Sequence, residues 1–182
     1  NLQRGVQQES STTLIISNSI LAGNLSGECD TFGGGTFDFD YTLFQDAGSA
    51  CGATDGVDGN IVGHNAALGP LGGLGGPTAT RLPLNMTGSV VYASPAIDSG
   101  DNSLLGGLTL DQRGTGYPRI VNTIVDMGST EGGFDIQCPT FPIIASNELE
   151  LGVAIACYNA LTVPGVYGIT LDDNIDLSLS TI

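Results

Sequence analysis

The chain is 182 residues long, 41% hydrophobic and only 13% charged, with nineteen acidic residues against four basic ones and a net charge of −15. That apolar content excludes a disordered acidic tail, and the length suffices to bury a core in one or two domains. All four cations are arginines, which makes nucleic acid a poor partner, disfavours anionic membrane surfaces, and excludes Schiff-base or lysine isopeptide chemistry.

With 28 glycines and many Thr, Val and Asn residues, the chain favours short strands and tight turns over helices. No apolar run approaches the roughly 18 residues of a membrane span, so no membrane insertion is expected. The sequence opens at Asn1 without an initiator Met, as a processed product or an excerpt would.

Residues 1–10 are a polar lead-in. From Ser11 to Asn24 the pattern alternates, with Leu14 and Ile16 on one side; it breaks at Ser17-Asn18 and resumes at Ile20. Strand, one-residue corner, strand is the path of a β-helix coil, with Asn tolerated where the backbone turns left-handed. Residues 27–65 are short β fragments punctuated by glycine, and Phe37, Phe39, Tyr41 and Leu43 alternate as one strand. Residues 66–80 are turn-rich, with Leu68, Leu71 and Leu74 spaced as in an ordered loop wrapping a core. Loops and short strands continue to 137. Near 145 the character changes: Asn147 with Glu150 has capping-box spacing, and Leu151, Ala154, Ile155 and Tyr158 mark one face of a helix over about 147–160. After Pro164-Gly165, Tyr167, Ile169 and Leu171 alternate, then Ile175, Leu177 and Leu179, predicting two half-buried strands.

Cys29, Cys51, Cys138 and Cys157 form two separated couples. Of the three connectivities, the local one is expected, Cys29–Cys51 with Cys138–Cys157, which implies an oxidising, extracellular or cell-surface setting. No spacing is CxxC, so zinc is not expected. Asn24-Leu25-Ser26 and Asn85-Met86-Thr87 are N-glycosylation sequons.

Candidate chemistry is sparse. His64, the single histidine, lacks any nucleophile signature nearby and reads as a loop residue. Asp98, Asp101 and Asp111 could serve glycoside hydrolysis as paired carboxylates. They read instead as acceptors of backbone N–H groups in tight loops, forming a structural charge network with Arg113 and Arg119. Asp55-Gly56-Val57-Asp58-Gly59-Asn60 and Asp172-Asp173-Asn174 suggest Ca2+, but neither has EF-hand spacing, and no catalytic residue, cofactor or metal is assigned.

Four blocks then occur in order: Gly75-Gly76-Pro77-Thr78-Ala79-Thr80-Arg81, Ser94-Pro95-Ala96-Ile97-Asp98-Ser99-Gly100-Asp101, Asp111-Gln112-Arg113-Gly114 with Pro118-Arg119, and Asp126-Met127-Gly128-Ser129-Thr130-Glu131. Together they resemble the C-terminal part of the bacterial surface β-helix proteins called choice-of-anchor Q domain proteins. Arg81 stands where that family usually has His, Pro118-Arg119 inverts its Arg-Pro, and Ser129-Thr130 replaces its Ala-Tyr. Cys138 to Ile182 is similar to the N-terminal cap of a following β-helix module. The resemblance implies a surface location and no particular activity.

The expected fold is therefore mostly β: right-handed parallel β-helix coils, a loop-rich β region and one short capping α-helix. Residues 1–137 would close one β-helix and 138–182 open the next. The expected function is non-enzymatic, a structural subunit of an extracellular filament, surface layer or adhesin. Its partners would be identical subunits joined non-covalently head to tail, through Leu14, Ile16 and Ile20 at one end and Tyr167, Ile169, Leu171, Ile175, Leu177 and Leu179 at the other. The alternatives are a lyase-like β-helix enzyme acting on polysaccharide and a calcium- or glycan-binding surface module.

Overall fold

The computed structural model describes residues 4–31, 33–88, 92–146, 148–161 and 165–172. Asn147, Pro164, Asp173, Asn174 and the strand expected at Ile175, Leu177 and Leu179 lie outside these. The described chain is mostly β with one α-helix, and it divides into two compact units, Asn1–Pro83 with Ser94–Gly133, and Leu84–Ala93 with Phe134–Ile182. The boundary expected between 137 and 138 falls inside a strand of the second unit.

The first unit contains β1 (Val6–Gln8), β2 (Thr13–Leu21), β3 (Cys29–Thr31), β4 (Thr36–Phe44) and β5 (Ile61–Val62). All of its pairings between these strands are parallel: β1 with β3, β2 with β4, and β4 with β5. The first two pairs share one offset of 23 residues, Val6 lying opposite Cys29 and Thr13 opposite Thr36. Leu43 then lies opposite Ile61, an offset of 18.

Inside β2 the backbone turns left-handed at Asn18 (φ 45°), and inside β4 it does so at Tyr41 (φ 47°), the one position at which the ladder skips a pair. Asn accepts this region readily, as expected from its short polar side chain; for Tyr it is unusual. The Tyr41 ring lies on Gly59 (φ 68°), where a Cβ would come within 2.6 Å of the ring. Only glycine leaves that ring its place.

The corner also corrects one sequence expectation. Phe37, Phe39, Tyr41 and Leu43 were expected to line one face, but a left-handed residue interrupts the two-residue period. Phe39 and Phe44 therefore share a core with Cys29 and Ala50, against which Val6, Ile16, Leu21 and Phe37 pack. Leu43 enters a second core with Ala66, Ala96 and Met127, flanked by Ile20, Ile61 and Leu68. Of the loop leucines, Leu68 packs against this core while Leu71 is half exposed. Within the first core, Phe39 and Phe44 meet edge to face with ring centroids 4.8 Å apart. Burying Phe44 completely contributes about 2–3 kcal/mol.

The second unit is organised by contacts distant in sequence. Here β6 (Leu84–Gly88) lies between β7 (Tyr92–Ala93), antiparallel to it, and β8 (Phe134–Cys138), parallel to it with Leu84 opposite Phe134. After β8 come β9 (Ile143–Ala145), helix α1 (Glu148–Asn159) and β10 (Ile169–Leu171), with β9 and β10 parallel. The Glu150 carboxylate accepts the Ser146 N–H at 2.8 Å, a first-turn acid satisfying a backbone donor ahead of the helix.

The buried stripe of α1 differs from the one expected. Ala154 and Cys157 are fully buried, whereas Ile155 and Tyr158 are nearly half exposed. The cause is the Cys138–Cys157 disulfide, which ties the helix to β8 and turns the Cys157 face inward. The other disulfide joins Cys29 to Cys51, so the local pairing holds and no free cysteine exists among the described residues. No described helix is long and apolar enough to cross a membrane.

Candidate functional site

The densest chemistry of the first unit is a buried charge cluster built from segments distant in sequence. Asp111, Arg119, Asp126 and Glu131 each retain 6% or less of their exposure. A carboxylate without water needs donors, and the loops supply them from backbone and arginine.

Asp111 accepts the N–H groups of Arg113 (2.7 Å) and Glu131 (2.9 Å) and pairs with the Arg113 guanidinium at 2.6 Å. Arg113 also donates to the Glu131 carbonyl at 2.6 Å, and its guanidinium lies 4.1 Å over the Tyr117 ring. Arg119 donates to Glu131 Oε2 (3.0 Å) and to the carbonyls of Asp126 (3.1 Å) and Gly128 (2.7 Å). Glu131 further accepts from Val121 N (3.0 Å) and Asp126 N (3.1 Å). The Asp126 carboxylate takes the N–H groups of Asp98 (2.7 Å) and Gly132 (2.8 Å).

The remaining sequence blocks close on this cluster. Gln112 bonds the Thr78 hydroxyl at 2.9 Å, Thr130 donates to the Arg81 carbonyl at 3.0 Å, and Ser94 donates to the Ala66 carbonyl at 2.6 Å. A Cβ on Gly75 would fall 1.8 Å from the Tyr117 hydroxyl, and one on Gly76 would fall 2.6 Å from Arg113 Cα. The paired glycines therefore let the loop lie against the arginine and its ring. Chemically, the arrangement holds Gly75–Arg81, Ser94–Asp101, Asp111–Arg119 and Asp126–Glu131 in one register.

Three buried carboxylates share two guanidiniums, and their ionisation reflects that imbalance. Burial pushes the Asp111 carboxyl up, but the Arg113 side chain, two backbone donors and the guanidinium charge outweigh it, so it ends below the usual range. Burial raises Asp126 despite its backbone donors, and the Asp98 charge adds to the rise. Glu131 is raised by burial as well, and the Asp126 charge adds to the rise, while the Val121 and Asp126 N–H groups and Arg119 oppose it.

Measured against the expected network, Asp111, Arg113 and Arg119 come together, while Asp98 and Asp101 do not reach either guanidinium among the described ion pairs. Asp98 enters through its N–H, and the Asp101 carboxylate caps the short 3-10 turn Asn102–Leu105 by accepting Ser103 N. Asp126 and Glu131 were not foreseen as its members. Their presence in the last sequence block and the scarcity of arginines were the signals that could have placed them.

Two buried asparagines carry a similar role at the coils. Asn60 accepts Thr42 N (2.9 Å) and donates to the Phe39 carbonyl (2.7 Å). Asn18 clasps the Asp101 backbone, accepting its N–H at 2.8 Å and donating to its carbonyl at 2.9 Å.

The other candidates lie apart. His64 is exposed in a loop, its Nε2 3.7 Å from Asp55, whose carboxylate accepts Val62 N. Among the described residues no cluster of three or more His, Cys, Asp or Glu side chains is arranged to hold a metal ion. Asn24 donates its side-chain N–H to the buried Glu28 carboxylate, and Asn85 donates to Asp135 at 2.7 Å, so both sequon nitrogens are engaged in the folded chain. Of the expected assembly residues, Ile20 packs on the second core, Tyr167 meets Phe141 at 5.2 Å, and Leu171 is half exposed.

No family model matches the chain, and neither a curated protein nor a solved structure matches it.

Proposed function

We propose that this chain is a non-enzymatic structural subunit of an extracellular bacterial filament, surface layer or adhesin, built on right-handed parallel β-helix coils that stack non-covalently, head to tail, on identical subunits. The observation that carries this reading is a gradient of burial along successive turns. Residues 6–21 and 29–44 follow one path 23 residues apart, as two turns of a coil would. In the second turn Cys29, Phe39 and Phe44 are buried; their first-turn counterparts Val6, Ile16 and Leu21 are only half-buried. A further coil stacked on the first turn would cover side chains that are only half-buried among the described residues. Stacking coil on coil is heterologous and does not close, so it generates a filament.

Other features support the same reading. The disulfides suit an oxidising exterior. Of the acids that could have served hydrolysis, Asp111 is committed to two backbone N–H groups and Arg113, and Asp101 caps a 3-10 turn. In the absence of lysine, the contact between subunits is non-covalent. With −15 on each copy, assembly strengthens as salt is raised from about 10 mM toward 150 mM, where screening shortens to about 8 Å.

Electron microscopy and sedimentation of the purified chain test the proposal. Filaments are expected at high protein concentration. Deleting residues 165–182 is expected to give assembly-dead subunits that still form Cys29–Cys51 and Cys138–Cys157. A monodisperse monomer from the intact chain at high concentration refutes the reading.

A further inference from the structure

The first unit carries an exposed apolar face in its loops, and we propose that a second copy of this chain covers it, face on identical face, about a two-fold axis. This contact is separate from the stacking of coils and does not depend on it.

Two loops build the face. In the first, the 3-10 turn Asn102–Leu105 buries Leu105 and leaves Leu104 outside; Leu108 N donates to the Leu105 carbonyl at 3.0 Å, and Leu108 and Leu110 are exposed. In the second, Val125 is fully buried while Ile120, Val121 and Ile124 stay outside. The loops are tied at two points. Leu110 bridges Pro118 in antiparallel sense and Arg119 N donates to the Thr109 carbonyl at 2.9 Å, a register that brings Leu108 toward Ile120. At the other tie the Asn102 side chain donates to the Thr123 carbonyl at 2.8 Å and accepts Val125 N at 2.9 Å. The six apolar residues that result are 38–63% exposed.

The second loop is held in a conformation its residues do not favour. Asn122 (φ 59°) and Thr123 (φ 93°) both lie at positive φ, and for a β-branched residue that is a strained backbone. Such strain persists only where the surroundings impose it, and it concentrates at binding surfaces. Here the Asn102 amide imposes it, and the turn presents the flanking apolar pair Val121 and Ile124. A loop fixed before its partner arrives loses little freedom on association.

Charge and area identify the occupant. Among residues 102–110 and 118–125 only Arg119 is charged, and it is buried. A basic partner would be drawn to the acidic remainder of a chain whose net charge is −15. This uncharged face is where a partner as acidic as the chain itself approaches with least repulsion, and a second copy is that partner. The six residues present roughly 450 Å², which at the about 65% apolar share of homodimer interfaces corresponds to about 700 Å² per partner. A stable specific interface takes roughly 800 Å² per partner, so one face pairing with its like comes close to that size. An isologous contact closes at two.

Sedimentation of the full chain tests the proposal. Below the onset of polymerisation, in about 150 mM salt, a monomer–dimer equilibrium is expected with a dissociation constant of roughly micromolar order. Leu108→Glu places a charge on both halves of the contact and is expected to weaken pairing at least about 100-fold. Leu25→Glu, at an 84% exposed residue outside the face, is expected to change it less than about threefold. In the unaltered protein, hydrogen exchange at the 108–110 and 120–124 amides should slow as concentration rises through the dissociation constant, a readout that needs no variant to fold. A chain that stays monomeric at every concentration overturns the proposal, and so does a folded Leu108→Glu variant that pairs as tightly as the unaltered chain. Exchange at those amides that ignores concentration overturns it as well. A dimer that never grows longer refutes the head-to-tail reading and leaves this contact standing, whereas filaments from a chain that is monomeric below their onset do the reverse.

Discussion

Replacing Arg119 with Met removes the cation shared by two buried acids while keeping the bulk of the side chain. The guanidinium reaches Glu131 Oε2 at 3.0 Å and the carbonyls of Asp126 and Gly128 at 3.1 and 2.7 Å, with Arg119 itself only 6% exposed. Breaking a buried ion pair by deleting one partner costs about 3–5 kcal/mol, because the remaining charge keeps its desolvation penalty. The buried Asp126 carbonyl and the part-buried Gly128 carbonyl lose a donor as well, so a cost near 4 kcal/mol is expected at pH 7. That approaches the whole stability of a marginal domain, typically about 5–15 kcal/mol. The pH dependence identifies the cause. Asp126 and Glu131 already have raised carboxyl pKa values in the folded chain, so each disfavours folding while ionised and ceases to do so once protonated. In the variant their rise is larger, and the cost therefore shrinks as the pH falls through the folded values. Urea unfolding at several pH values measures it, and hydrogen exchange at the Val121 and Asp126 amides, both donors to Glu131, localises it. A cost below about 1 kcal/mol, or one that does not diminish on acidification, refutes the assignment of this cluster as the clasp of the loops.

In the unaltered protein the same groups predict opposed slopes: stability rises from neutral into mildly acidic pH as Asp126 and Glu131 take protons, then falls at strongly acid pH as Asp111 loses the stabilisation of its depressed pKa, a profile that calorimetry across pH would trace. Asn60→Ala is expected to cost about 2–4 kcal/mol in urea unfolding, since it orphans Thr42 N and the Phe39 carbonyl inside the coil. Gly75→Ala is expected to destabilise by more than about 1 kcal/mol, because its Cβ would fall 1.8 Å from the Tyr117 hydroxyl at a φ of +113°. Gly73→Ala, with open space around its Cβ, is the control and should be near neutral. Peptide mapping without reduction should recover Cys29–Cys51 and Cys138–Cys157, each closure contributing about 3 kcal/mol, and a Cys51–Cys138 link would contradict the structure.

Features with a local cause were legible in the sequence. The cysteine couples paired as their spacing suggested, because loops of this length close readily. The left-handed corner at Asn18 was legible because only a few residues tolerate that conformation, and the helix near 148–159 because its capping acid and apolar spacing lie within a few residues. What tertiary structure alone decided depends on contacts with no local signature. Tyr41 turns left-handed against residue-level preference because Gly59 makes room for its ring, and that one residue sends Leu43 to a different core from Phe39. The buried face of α1 is set by a disulfide to β8 rather than by the apolar pattern of the helix. Strand β6 joins β8 across fifty residues, from Leu84 to Phe134, which places 84–93 in the second unit. The charge cluster is the clearest case: Asp126 and Glu131 are two acids among nineteen until folding excludes water from them. Desolvation then makes Arg119 the partner of the Glu131 carboxylate and backbone N–H groups the partners of Asp126, and desolvation is a property of the packed molecule that the local sequence does not encode.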